Sequence, residues 1–367
     1  MHENPSEPAA VSVAQRHRPP TVDELAEGVR RGDRSMLGRA ITLIESTSIR
    51  HENDAQELLQ KLMPFTGKAR RLGITGVPGV GKSTFIDTLG MHLIAGGHRV
   101  AVLAIDPTSS RSGGSILGDK TRMGRLGSEP AAFIRPSPSG GTLGGVARRT
   151  RETMLLCEAA GFDVIVVETV GVGQSETALR GMVDYFLLLL LAGAGDDLQG
   201  IKRGIMEMAD AVIINKADGD NRLKAEMARG EQAMSLHYLA PATPGWTPPV
   251  TLASGLTGEG IQECWAEVER FYRELEPTGA LANRRTEQAR QWFEDLIREE
   301  LVTRFRRHPV VQQQRAILEE AVARQGMTPI RAVRALFEAH EAALAEALRS
   351  GPGSARSVST SSDPSSI

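Results

Sequence analysis

Gly76 to Ser83 spells G-x-x-x-x-G-K-S inside the stretch GITGVPGVGKSTFIDTLG. This spacing lets backbone N–H groups converge on phosphate oxygens, and a helix opening directly afterwards adds the partial positive charge of its N-terminus. Lys82 is placed to reach the β- and γ-phosphates and Ser83 to ligate Mg2+, while Gly76, Gly79, Val80, Gly81 and Thr84 complete the expected phosphate contacts. The chemistry is nucleoside triphosphate binding, and the base must be read elsewhere.

A second motif reads it. Asn215-Lys216-Ala217-Asp218 closes the apolar run DAVIIN. An N-K-x-D at a strand end places the Asp218 carboxylate to accept from the N1–H and exocyclic N2–H2 of guanine, lays the Lys216 stem on the base plane, and lets Asn215 tie the two loops together. Adenine lacks both donors, and a buried carboxylate left unpaired against the wrong base costs on the order of 1–3 kcal/mol or more. Ser254-Gly255, in TLASGLTGEG, stands where a backbone N–H meets guanine O6.

Hydrolysis needs a metal and a sensor of the third phosphate. Asp106 ends the run HRVAVLAID, and the glycine-rich stretch after it carries Arg111, Asp119, Lys120 and Arg122. Asp106 and Asp119 are candidates for Mg2+ coordination, directly or through water. Glu168 ends DVIVVE as a third acid, and Gly171 follows three residues later with an N–H for the γ-phosphate, an E-T-V-G spacing that mirrors D-x-x-G. Lys82, Asp106, Glu168 and Gly171 are thus the expected catalytic set, with Ser83, Asp106, Asp119 and Glu168 around the metal. The residue after Gly171 is Val172 and not a water-orienting glutamine, the nearest being Gln174. A slow intrinsic rate follows. Its acceleration is left to Gln174, to Arg111, Lys120 or Arg122, or to a partner.

Such motifs require a scaffold of parallel strands and helices. From Arg70 onward, short apolar runs (RRLGITG, HRVAVLAID, DVIVVETV, DYFLLLLLAG, DAVIINKAD, PPVTLAS) alternate with helical patterns, which predicts an α/β P-loop fold with a mostly parallel sheet covered on both faces. The expected organisation is a disordered lead over 1–20, an N-terminal helical extension over 21–66, a GTPase domain over 67–279, a helical arm over 280–349 whose long apolar faces either fold back on the main domain or pair with a second subunit as a dimerisation arm, and a disordered tail over 350–367. Thr21 and Glu24 spell a capping box for the first helix, and His308-Pro309 breaks the last amphipathic segments.

With 367 residues, 41% of them hydrophobic, the chain is long enough for a substantial core. A net charge of -2 gives no electrostatic reason to expect nucleic acid or an anionic membrane. The run from Tyr185 to Gly195 is about half the ~20 residues of a membrane helix. Cys157 and Cys264 lie far apart, as in a protein of the reducing cytoplasm.

Taken together, GVPGVGKST, AIDPTSSRSGGSILGDKTRM, VVETVGVGQSE and LLAGAGDDLQGIKRGIMEMADAVIINKAD resemble the MeaB-type G proteins, including the ArgK and MMAA groups. The likeness runs from about Thr21 to Leu348. It implies a homodimeric GTPase chaperone of adenosylcobalamin-dependent methylmalonyl-CoA mutase, which gates cofactor transfer from an adenosyltransferase, protects or reactivates the mutase, and is stimulated by it. It also implies a partner-sensing switch over Gly193 to Lys202, with Asp196, Asp197, Gln199 and Lys202 as its residues. Nothing resembles the D-x-H-x-x-G cobalamin motif, so no cobalamin is expected on this chain. Three other readings stay open: a GTPase metallochaperone or maturation factor for another metalloenzyme, a kinase acting on transport proteins, and a regulatory binding module whose hydrolysis is incidental.

Overall fold

The computed structural model describes residues 18–46, 48–105, 123–136, 143–169, 175–193 and 203–350. Backbone contacts divide the chain into two units, 1–288 and 289–367.

The first unit is built on seven parallel strands: β1 (Arg70–Gly76), β2 (Val100–Ile105), β3 (Ala132–Arg135), β4 (Val164–Thr169), β5 (Tyr185–Leu191), β6 (Ala211–Asn215) and β7 (Val250–Leu252), in the spatial order β3-β2-β4-β1-β5-β6-β7. The strand β5 shows why the sequence reads YFLLLLL. Its side chains alternate across the sheet, Phe186, Leu188 and Leu190 entering one core and Tyr185, Leu187 and Leu189 the other. With both faces covered, every position is apolar. The edge strand β3 has no such signature; it is four residues long and flanked by Pro130 and Pro136, and the sequence pattern did not separate it.

Three helices precede the sheet: α1 (Val22–Arg30), α2 (Arg34–Glu45) and α3 (Ile49–Leu62). The predicted capping box is present, since Glu24 N donates to Thr21 Oγ1 at 3.2 Å and Thr21 N to Glu24 Oε2 at 2.8 Å. Leu37, Ile41 and Leu58 from these helices share a core with Ile165, Val167 and Leu188 of the sheet. Within the sheet region run α4 (Lys82–Ala95), α5 (Gly124–Ser128), α6 (Leu143–Ala159), α7 (Ser175–Arg180), α8 (Arg203–Met206), α9 (Arg222–His237) and α10 (Ile261–Leu275). On the opposite face Phe85 and Ile86 of α4 and Phe271 of α10 pack with Ile74, Val166, Leu187 and Trp246. Cys157 and Cys264 are buried free thiols, and burial pushes both above the usual thiol range.

The remaining helices are α11 (Ala280–Arg307), α12 (Pro309–Ala323) and α13 (Pro329–Ser350). The predicted break falls where expected: His308 is extended, as the residue before a proline must tend to be, and Pro309 opens α12. Phe293, Ile297 and Leu301 on α11 and Ile330, Val333, Phe337, Leu344 and Leu348 on α13 are exposed in the single chain. Among the described residues no helix is long and apolar enough to cross a membrane.

Candidate functional site

Strand β1 stops at Gly76 and α4 starts at Lys82, so the loop between them lies at the carboxyl edge of the sheet. It sits where strand order reverses, β1 standing between β4 and β5, which is the crevice where open α/β sheets bind ligands. Gly81, the residue before α4, has φ +93°, and a Cβ there would meet Asn215 Nδ2 at 2.9 Å. A side chain at this position would be strained and would also push the second loop away.

Lys82 is half-buried, and its Nζ donates back to the carbonyls of Gly76 at 2.8 Å and Val77 at 3.3 Å. Burial holds its ammonium below the usual lysine range, opposed by the charges of Glu168 and Glu176. Glu168 lies near the end of β4, in register with Ile74 of β1 and Ala104 of β2, and is buried. Glu176 is buried in the first turn of α7, where Ser175 Oγ donates to its Oε2 at 3.2 Å. Sequence reasoning missed Glu176. It falls beyond the E-T-V-G motif in an unremarkable SETALR, and only the return of α7 brings its charge onto Lys82. Thr75 and Thr169 were missed too; their hydroxyls bond at 2.8 Å and tie β1 to β4 behind the loop. Ser83 is half-buried at the start of α4 and Thr84 beside it is exposed.

The N-K-x-D segment meets this loop directly. Asn215, 1% exposed at the end of β6, donates from Nδ2 to Val80 O at 2.8 Å and accepts at Oδ1 from Gly255 N at 3.1 Å. One side chain therefore joins the loop after β1, the end of β6 and the turn after β7. Lys216 takes the left-handed conformation at φ +58° and its Nζ donates to Gly79 O at 2.8 Å, stretching the stem beside the loop. A non-glycine residue held there is a local strain that the surrounding bonds must fix. Asn221 Nδ2 donates to Lys216 O at 2.7 Å and Ala217 N to Ala253 O at 3.0 Å, which do so. Asp218 is half-buried beyond them, and no side-chain hydrogen bond to it appears among the described residues.

The turn after β7 is pinned to α4. Thr88 Oγ1 donates to Gly255 O at 2.6 Å, and a Cβ on Gly255 would come within 2.8 Å of Phe85 N, so only glycine allows this approach. The N–H groups of Ser254 and Gly255 are already engaged: Ser254 N donates to Glu259 O at 2.9 Å and Gly255 N to Asn215 Oδ1, while Ser254 Oγ accepts from Thr257 N at 3.1 Å. Asp106, Arg111, Asp119, Lys120, Arg122, Gly171, Val172, Gln174, Asp196, Asp197, Gln199 and Lys202 lie outside the described residues.

Residues 37–310 match the family model for the methylmalonyl-CoA mutase-associated GTPase MeaB. The GTPase ArgK of Escherichia coli is 50% identical over 281 residues, 76% of this chain and 85% of that protein. The mitochondrial methylmalonic aciduria type A homolog of Mus musculus is 45% identical over 328 residues, 87% of this chain and 79% of its own. A solved structure described as an LAO/AO transport system kinase superposes with a TM-score of 0.68 at 39% identity, covering 89% of this chain and 99% of that one.

Proposed function

Because the chain belongs to the MeaB family of methylmalonyl-CoA mutase-associated GTPases and is itself a GTPase, we propose that its hydrolysis of GTP times a change of conformation delivered to an adenosylcobalamin-dependent methylmalonyl-CoA mutase. The single observation that supports the nucleotide reading is the pair of hydrogen bonds made by Asn215, which join the end of β6 to the phosphate loop at Val80 and to the turn after β7 at Gly255. On this reading Gly76, Gly79, Val80, Gly81, Lys82, Ser83 and Thr84 hold the phosphates, while Lys216 and Asp218 take guanine against the turn of Ser254 and Gly255.

A hard divalent ion fits the phosphate end. The Ser83 hydroxyl, the buried Glu168 carboxylate and Asp106 and Asp119 are the oxygen donors Mg2+ requires. When bound, the ion would neutralise charge on the β- and γ-phosphates. Lys82 leaves its two carbonyl partners for the phosphate oxygens, and the N–H of Gly171 meets the γ-phosphate that water attacks. Val172 cannot orient that water, so intrinsic turnover is slow and the mutase raises it.

Support for the mutase as client comes from the family match and from the mouse relative's name; cofactor loading from an adenosyltransferase and protection of the mutase are the corresponding tasks. Asp196, Asp197, Gln199 and Lys202 are the residues through which it is sensed. The exposed apolar side chains of α11 and α13 are covered in a homodimer. The two unpaired cysteines suit a cytoplasmic protein.

Sedimentation velocity tests both associations. Alone, the chain should run at twice its 39.5 kDa mass. Mixed with the mutase it should form a complex whose affinity differs about 5-fold or more between GDP and a non-hydrolysable GTP analogue. A monomer would remove the dimer, and equal affinity in both nucleotide states would remove the coupling.

A further inference from the structure

The N-terminal helices hold a cleft that shares no residue with the nucleotide site. It is lined by residues of α1, α2, α3 and α6, which pack on one another, and its volume is about 1320 Å³. Ligand sites commonly take roughly 300–1,000 Å³, so an organic molecule fits here. Ser35, Gly38, Arg39 and Thr42 recur at the spacing of one helical face, and that face of α2 lines the cleft. Val22, Leu25 and Leu43 supply an apolar wall, and Arg149 comes from α6.

The charges on these walls do not cancel. Arg18 is paired with Glu24 at 2.6 Å, and Glu45 is held by Arg135, whose Nε donates to Oε1 at 3.1 Å. His51 Nδ1 and Ser46 Oγ share a hydrogen bond at 2.8 Å. Arg148, beside Arg149, donates from Nε to Glu152 Oε1 at 3.2 Å, where Gln56 Nε2 adds a bond at 3.3 Å. Arg149 reaches Glu152 through its charge, without a hydrogen bond. Among the described residues, Arg39 and Arg149 have no hydrogen bond or ion pair, and Asp54, the remaining acid of the lining, pairs with neither. Two guanidiniums from different helices therefore line one space with their donors unused. Their planar forks match the oxygens of a phosphate in pairs.

Gly38 is an independent sign. A glycine within a helix destabilises it relative to alanine, so its presence asks for a reason. For Gly28 of α1 the reason is packing, since a Cβ there would come within 2.6 Å of Met36 Cβ. For Gly38 a Cβ would meet nothing within 4 Å, so no packing contact calls for it. Its bare backbone widens the cleft directly beside Arg39.

We propose that this cleft binds a small organic phosphate, with the phosphate held by Arg39 and Arg149 and the apolar part of the molecule laid along Val22, Leu25 and Leu43 over Gly38. A phosphate monoester carries close to two negative charges at neutral pH, which match the two guanidiniums. The hydrophobic wall then selects against inorganic phosphate, which has nothing to bury there.

Phenyl phosphate is the probe, titrated calorimetrically into the full chain held saturated with GDP and Mg2+ so that the phosphate loop is filled. Arg39→Ala and Arg149→Ala should each weaken its binding about 10-fold or more, as for hydrogen bonds to a charged group, while GDP affinity stays unchanged. Gly38→Leu should block the cleft and abolish binding, again with GDP affinity unchanged; the open space at its Cβ lets this variant fold as the parent does. Phenol, which lacks the charge, should bind at least about 10-fold more weakly than phenyl phosphate. No binding of phenyl phosphate by the parent, binding that survives the arginine variants or Gly38→Leu, or equal binding of phenol overturns the site.

Discussion

Replacing Lys82 by alanine will lower GTP turnover by about 10²- to 10³-fold, the loss seen when one preorganised charge donor is removed from a developing anion. Triphosphate affinity should fall by roughly 10- to 100-fold, as for hydrogen bonds to a charged group. The loss will not reflect unfolding. Among the described residues the ammonium is held against burial by the carbonyls of Gly76 and Val77 and the charges of Glu168 and Glu176. Taking away a half-buried charge with a depressed pKa removes an unfavourable term as well as two hydrogen bonds, so the melting temperature should change little. GDP affinity should suffer less than GTP affinity, since the γ-phosphate contact is absent. Normal turnover by the variant would contradict the assignment of the phosphate loop.

Asp218→Asn carries the second large effect. Asparagine presents an amide donor where the carboxylate had accepted, which suits the carbonyl at C2 of xanthine and leaves guanine's N2–H2 facing another donor. GTP affinity should drop by roughly 10- to 100-fold while xanthosine triphosphate gains, inverting the preference. The surrounding bonds make the exchange clean. Asn215, Lys216 and Asn221 hold the loop through Val80, Gly79 and the Lys216 carbonyl, none of which involves the Asp218 side chain. Competition between the two triphosphates at fixed Mg2+ reads the result, and an unchanged preference would remove Asp218 as the guanine reader.

The sheet was legible because its strands are buried on both faces. VAVLAI, VIVVET, YFLLLLL and AVIIN each announce a strand by apolar content, RRLGITG does so by running into the G-x-x-x-x-G-K-S motif, and that motif and N-K-x-D mark which ends matter. The capping box at Thr21 and the break at Pro309 were equally plain, since each depends on residues a few positions apart. What escaped was long-range. Nothing local in SETALR says that Glu176 acts on Lys82, and nothing in MADAVIIN says that Asp210 is shared by Arg180 and Arg284. The pairings of Glu176 with Lys82, Asp210 with Arg180 and Asp210 with Arg284 join residues 94, 30 and 74 positions apart, for which sequence periodicity carries no information. The short strand β3 was lost for a different reason: a four-residue strand in the stretch between Pro130 and Pro136 gives too few positions for alternation to show.

The measurement that bears most directly on the account is steady-state hydrolysis of GTP and of ATP by the purified chain, at matched Mg2+, with and without methylmalonyl-CoA mutase. Slow turnover of GTP, no turnover of ATP and a rise in the GTP rate when the mutase is added are the predicted results. A GTP rate indifferent to the mutase would contradict the proposed coupling while sparing the GTPase, and equal use of ATP would contradict the guanine reading built on Asn215, Lys216 and Asp218.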